Sequence, residues 1–117
     1  MAQVTSHTLN GVDGTHADGI RARLTHLPSA TVLFDKLTSD GGRLSADVDI
    51  QNHTPGDSYE LVFDTGGYWT QQNLPHEQAQ IMQQVVLRFS MPDSQARYHM
   101  PVILNPNSYS CWWSVPE

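Results

Sequence analysis

The sequence predicts an all-β domain, a sandwich of two packed antiparallel sheets with roughly seven or eight strands and one short helix. Two observations predict it. Turn-forming residues recur along the chain, from Asn10-Gly11, Asp13-Gly14 and Asp18-Gly19 through Pro28-Ser29, Asp40-Gly41-Gly42, Pro55-Gly56-Asp57 and Gly66-Gly67 to Pro106-Asn107. Between these marks, apolar residues fall at every second position, which places them on one face of a pleated strand and leaves the other face to water.

The elements follow in order. His7 stands in or beside a strand that leads into the Asn10-Gly11 turn. Ile20, Ala22, Leu24 and His26 share one face, opposite Arg21, Arg23 and Thr25. A strand at 31–37 follows Pro28-Ser29. Leu44, Ala46, Val48 and Ile50 then share a face opposite Ser45, Asp47 and Asp49. A further strand is expected at 59–64. The one helical window is 68–74, opened by Gly66-Gly67 and stopped by Pro75. A strand at 81–90 precedes a closing hairpin, with arms at 97–104 and 109–113 around Asn105-Pro106-Asn107-Ser108. Trp112 and Trp113 end that hairpin, a large apolar surface near a chain end that a partner subunit or a ligand is expected to cover.

Composition bounds the function. A chain of 117 residues forms one domain, 1–117, with a single core that needs no staples. A net charge of −6 with only six scattered Lys and Arg residues excludes a nucleic-acid partner, because phosphate binding wants clustered cations. The lone cysteine, Cys111, excludes an internal disulfide framework. The N-terminal segment has no basic region followed by an apolar one, and no window is long and apolar enough for a membrane span, so a cytoplasmic location is expected.

Six histidines at 7, 16, 26, 53, 76 and 99 invite a test for metal ligation, and no two are spaced i+2 or i+4. His76-Glu77 begins like a zinc-protease motif, but Gln80 occupies the second ligand position. No metal site is assigned. Asn52-His53-Thr54 matches a glycosylation sequon by chance, given the absence of a secretory signal. Ser110 has no glycine elbow around it, and Cys111 has no base nearby in sequence. His7, Arg43 and His99 each lie in or beside a strand near a turn; singly, each reads as an edge residue or a hydrogen-bonded core histidine. Periodicity alone does not bring them together.

The wording of the flanking segments does. Ser6-His7-Thr8-Leu9-Asn10, Gly19-Ile20-Arg21-Ala22-Arg23-Leu24, the Gly42-Arg43 turn, 59–69 (YELVFDTGGYW), Val86-Leu87-Arg88-Phe89, 98–104 (YHMPVIL) and Ser108-Tyr109-Ser110 resemble in wording and spacing the 5-hydroxyisourate hydrolases, the transthyretin-related proteins of urate breakdown. The resemblance spans nearly the whole chain. It implies a transthyretin-like sandwich assembled as a homotetramer, a dimer of dimers, with sites in the channel between dimers. It implies a cofactor-independent hydrolysis of a small cyclic substrate, in which water attacks a ring carbonyl and a C–N bond opens. The family's site histidine of the first strand, arginine of the Gly-Arg turn and histidine of the Tyr-His-Val-Pro strand fall on His7, Arg43 and His99. Transthyretin itself, the hormone carrier on this fold, lacks that trio.

One departure is plain. The hydrolases end in Tyr-Arg-Gly-Ser, a segment that helps line their channel, whereas this chain continues Trp112-Trp113-Ser114-Val115. A cation and a hydroxyl give way to two indoles, which stack on planar rings but do not replace a guanidinium. Asn10 likewise stands where those enzymes carry an aspartate. Trp112, Trp113, Ser114 and Ser110 are therefore expected to contact the substrate. Two readings stay open: a ring-opening or ring-rearranging enzyme, on hydroxyisourate or a diverged substrate, and a transthyretin-type binding protein whose tryptophans floor the channel.

Overall fold

Alternation in the sequence becomes two layers. The computed structural model describes residues 1–72 and 79–115. In chain order the strands are β1 (Ala2–Asn10), β2 (Arg21–His26), β3 (Thr31–Leu37), β4 (Arg43–Val48), β5 (Ser58–Asp64), then helix α1 (Gly66–Gln71), β6 (Gln84–Ser90), β7 (Arg97–His99), β8 (Val102–Asn105) and β9 (Ser108–Cys111). One sheet runs β4-β1-β8-β9 with β7 also paired to β1; the other runs β3-β2-β5-β6. The chain has the β-sandwich fold expected of it.

The buried half of each alternation meets in the middle. Val4, Leu44, Val48, Val102 and Leu104 come from the first sheet, and Ala22, Leu24, Leu61, Phe63, Val85 and Leu87 from the second. Helix α1 packs Trp69 onto this core, 2% exposed. The helix expected at 68–74 instead starts at Gly66 and stops at Gln71, Gln72 being already extended; Leu74, Pro75 and the His76-Glu77 pair lie outside the described residues.

Three details differ from the sequence reading. The run 97–104 is split into β7 and β8, because Pro101 has no N–H to give a ladder, and both pieces pair with β1 in parallel rather than antiparallel. The strand expected from Ile81 begins only at Gln84. Trp112 and Trp113 lie beyond β9 rather than in it. After them the chain pairs again, Ser114 N–H donating to the His99 carbonyl at 2.8 Å. The tail thus runs along β8, breaks opposite Met100-Pro101, and resumes beside β7.

Two histidines are absorbed by the scaffold. His26 is 5% exposed. Its Nδ1 meets Ser29 Oγ at 2.7 Å and its Nε2 meets Asp57 Oδ2 at 2.8 Å. His53 stacks on it with centroids 3.7 Å apart and bonds Tyr59 Oη through Nδ1 at 2.7 Å. This clasp ties the turn after β2 to the turn before β5. The His26 hydrogen bond holds the Asp57 carboxyl below its usual range.

Candidate functional site

The odd-numbered residues of β1 face away from the core, and pairing registers turn that outer face into a grid of side chains. Arg43 lies directly across from His7. In the next row Ser45, Thr5 and His99 are successive partners, and Ser114 extends the row as the bridge partner of His99. Beyond them Asp47, Gln3 and Arg97 form a row. On the other side of His7, His16 bridges Leu9, which continues through Ile103 to Ser110. Directly paired side chains stand about 5 Å apart and diagonal ones about 7–8 Å. So His7, Arg43 and His99, far apart in sequence, share one patch of one sheet face.

Local structure fixes each member. Arg43 opens β4 immediately after the Gly41-Gly42 turn, where both glycines have positive φ (88° and 70°). The Thr8 N–H donates to the Gly42 carbonyl at 2.8 Å, which sets where β4 starts against β1. The His99 ring is held by Thr5 Oγ1 at 2.7 Å from Nδ1. Asn10, at the position of the family's aspartate, is 2% exposed. It accepts the Val12 N–H through Oδ1 at 2.8 Å and donates to Tyr68 Oη at 3.0 Å. Its task is to shape the 11–16 loop and tie it to α1.

Both imidazoles are held neutral. Burial pushes the His7 pKa down, the Arg43 charge adds to that, the neighbouring His16 and His99 rings lower it a little further, and the Gly41 carbonyl pulls the other way. Burial also lowers His99, aided by Arg97 and Arg43. A neutral imidazole near pH 7 can take a proton.

A hollow of about 310 Å³ opens on this face, lined by Gln3, Thr5, Arg43, Ser45, Arg97 and His99 among others. Arg97 was not singled out from the sequence, although it sits two residues before His99 and so on the same strand face. Nor was His16, whose approach to His7 depends on a loop return that no periodicity encodes. Among the described residues, no group of three or more histidine, cysteine or acidic side chains could hold a metal ion.

The tryptophans lie elsewhere. Because Ser114 points with His99, the alternation sends Trp113 to the opposite side, over Tyr98, Met100 and Phe89. Trp112 and Trp113 line an apolar groove of about 300 Å³ with Val86, Phe89, Met100 and Tyr109. They are 46% and 59% exposed. Within one protomer the indoles therefore do not wall the histidine–arginine hollow. Ser114 stays beside His99, and Ser110 lies on the same face in the row of Leu9 and Ile103.

A family model described as HIUase/Transthyretin family matches residues 4–113. The chain belongs to that family. The 5-hydroxyisourate hydrolase of Pseudomonas aeruginosa is 30% identical to it over 115 residues, covering 96% of this chain and 90% of that protein. The solved Klebsiella pneumoniae 5-hydroxyisourate hydrolase superposes with a TM-score of 0.75 at 20% identity, over 97% of this chain and 99% of that one. Sea bream transthyretin in complex with thyroxine superposes with a TM-score of 0.77 at 21% identity, over 97% and 95% of the two chains. These two structures establish the sandwich as the family's fold; the sequence relative aligns along nearly its whole length. No helix among the described residues is long and apolar enough to cross a membrane.

Proposed function

We propose that this member of the HIUase/Transthyretin family is a hydroxyisourate-hydrolase-like enzyme that opens a small planar ring at a C–N bond, using His7, Arg43 and His99. The observation that carries the reading is the register that sets Arg43 across from His7 and His99 diagonal to it, with Arg43 and His99 lining a polar hollow. With Nδ1 engaged by Thr5, His99 has Nε2 left for solvent. In this reading Nε2 takes a proton as the water oxygen bonds to the ring carbonyl carbon. The carbonyl oxygen becomes an oxyanion, held by Arg43 with Arg97 as a second cation. When the C–N bond breaks, the proton passes to the departing nitrogen. The chemistry uses no cofactor and no metal. His7 supplies a second neutral imidazole beside Arg43, its Nε2 bonded to His16, and serves as a wall of the site. The named hydrolase relatives support this substrate class, and Arg97 offers a guanidinium where the Tyr-Arg-Gly-Ser end is missing.

The test is an ultraviolet assay on freshly made 5-hydroxyisourate. Acceleration over spontaneous decay supports the reading, and its absence sinks it in favour of a diverged ring substrate or of carriage. A pH profile is a second check. Both imidazoles have pKa values below the ordinary histidine value of about 6.5, and both are needed neutral. Activity should therefore hold at pH 6.5–7 and fall only at lower pH, with an acid-limb midpoint below 6.5; a midpoint above 7 would contradict it.

Assembly belongs to the same proposal: a homotetramer, as a dimer of dimers, whose channel covers the open outer face. β6 and β9 are unpaired edges of their sheets, and Val86, Tyr109, Trp112 and Trp113 beside them are all more than a third exposed. Such edges and apolar patches favour pairing with another chain. Dilution to single protomers should red-shift tryptophan emission as Trp112 and Trp113 become wet, Trp69 remaining buried. An unchanged spectrum through dissociation would remove them from any interface.

A further inference from the structure

His16 is neither part of the His7–Arg43–His99 trio nor exposed at random. The loop after β1 turns back on itself. Asn10 N–H donates to the Thr15 carbonyl at 2.8 Å and Ala17 N–H to the Thr8 carbonyl at 2.9 Å, so residue 16 pairs antiparallel with Leu9. Asp13 Oδ1 accepts from the Thr15 N–H at 2.9 Å and hydroxyl at 2.6 Å, and Thr8 Oγ1 donates to the Ala17 carbonyl at 2.7 Å. Leu9 shares its strand face with His7, so its bridge partner projects onto the same face. The result is a direct contact: His7 Nε2 lies 2.8 Å from His16 Nδ1, with the rings 4.9 Å apart and inclined by 28°.

We propose that His16 is a positioning residue for His7, the two imidazoles sharing one N–H···N hydrogen bond that fixes the His7 ring beside Arg43. This inference rests on the use of His7 in the reaction proposed above. With both rings neutral, each carries one N–H, and one of these two protons lies in the shared bond. A third proton makes the pair an imidazolium bonded to an imidazole; a fourth breaks the bond, leaving two cations face to face beside Arg43. The charged or titratable groups facing His7 are Arg43 from β4, His99 from β7 and His16 from the loop. The first two belong to the trio already described. His16 is exposed, as is Arg43, so the shared bond joins the His7 ring to the rim of the face.

The experiment separates this from the functional reading. Ring-resolved NMR of the wild-type protein should show His7 Nε2 bonded to His16 Nδ1 and a His7 titration curve displaced to lower pH. In His16→Ala, His7 should titrate at higher pH, since the neighbouring ring and some burial are gone. An unaltered His7 curve in that variant overturns the inference whatever the enzyme does. His16→Asn places an amide near the lost Nδ1, keeping a hydrogen-bonding partner that does not titrate. In the hydroxyisourate assay, His16→Ala should lower kcat about tenfold with KM nearly unchanged, below the hundredfold or more expected for deleting a direct proton-transfer group. His16→Asn should recover most of kcat while simplifying the acid limb to fewer ionisations. Equal losses in both variants overturn positioning. A wild-type protein that leaves hydroxyisourate untouched but shows the His7–His16 hydrogen bond overturns the functional reading and leaves the pair standing.

Discussion

Replacing His99 by Asn is expected to cut kcat for hydroxyisourate opening by at least about a hundredfold while leaving the fold intact. The geometry makes this a clean substitution. Asparagine carries a polar atom near the position of the imidazole Nδ1, so the contact with Thr5 Oγ1 (2.7 Å in the native chain) can persist. The backbone pairing to Ser114 uses the residue 99 carbonyl and is untouched. What disappears is Nε2, the nitrogen assigned to water. Melting temperature should therefore stay within about 3 °C, corresponding to well under 1 kcal/mol for a domain of this size. A variant that keeps near-native kcat removes His99 from the proton transfer. A variant that loses activity only through raised KM points to a binding role in its place.

The sandwich itself was legible because alternation is a local signal. Ile20, Ala22, Leu24 and His26 are all buried, as their spacing requires, and so are Leu44, Val48 and Ile50. Register is not local. Nothing in the spacing of residues 7, 43 and 99 says that the first two are cross-strand partners; that came only from likeness to other sequences, and it depends on a hydrogen bond between Thr8 and Gly42. Arg97 could have been found, since a cation two positions before a strand histidine must share its face. His16 could not, because its place follows from Asn10, Asp13 and Thr8 folding the 11–16 loop back onto β1.

The tryptophans teach the opposite lesson. Their bulk marked the C-terminal segment as distinctive, but which side they take is decided by one backbone pairing. Ser114 bridges His99, and period-two alternation then directs Trp113 toward Tyr98 and Met100, the core-facing neighbours of His99. His99 and Trp113 thus take opposite sides of the same short stretch of sheet.

The other large effect is expected from Gly42→Ala, and it tests whether the site depends on the turn that starts β4. Gly42 has φ of +70°, a conformation that costs an L side chain about 1–2 kcal/mol. A methyl group there would also strike the Thr8 carbonyl oxygen and crowd Ala17 O and Thr8 Oγ1, both 3.2 Å away. These are backbone and buried atoms that cannot swing aside, since Thr8 is 0% exposed. The turn would have to move, taking the Thr8–Gly42 hydrogen bond and the Arg43–His7 register with it. A loss of about 3 kcal/mol is expected, or roughly a 10 °C fall in melting temperature at matched protein concentration. Gly41→Ala provides the control. Its φ is +88° but nothing lies within 4 Å of the added carbon, so only the backbone penalty applies and the fall should be about 4 °C. If Arg43 is placed by this turn, Gly42→Ala should also raise KM several-fold at temperatures where the protein is still folded, and Gly41→Ala should not. Equal effects of the two substitutions on stability and KM would mean that the close approach of Gly42 to β1 does not set the position of Arg43.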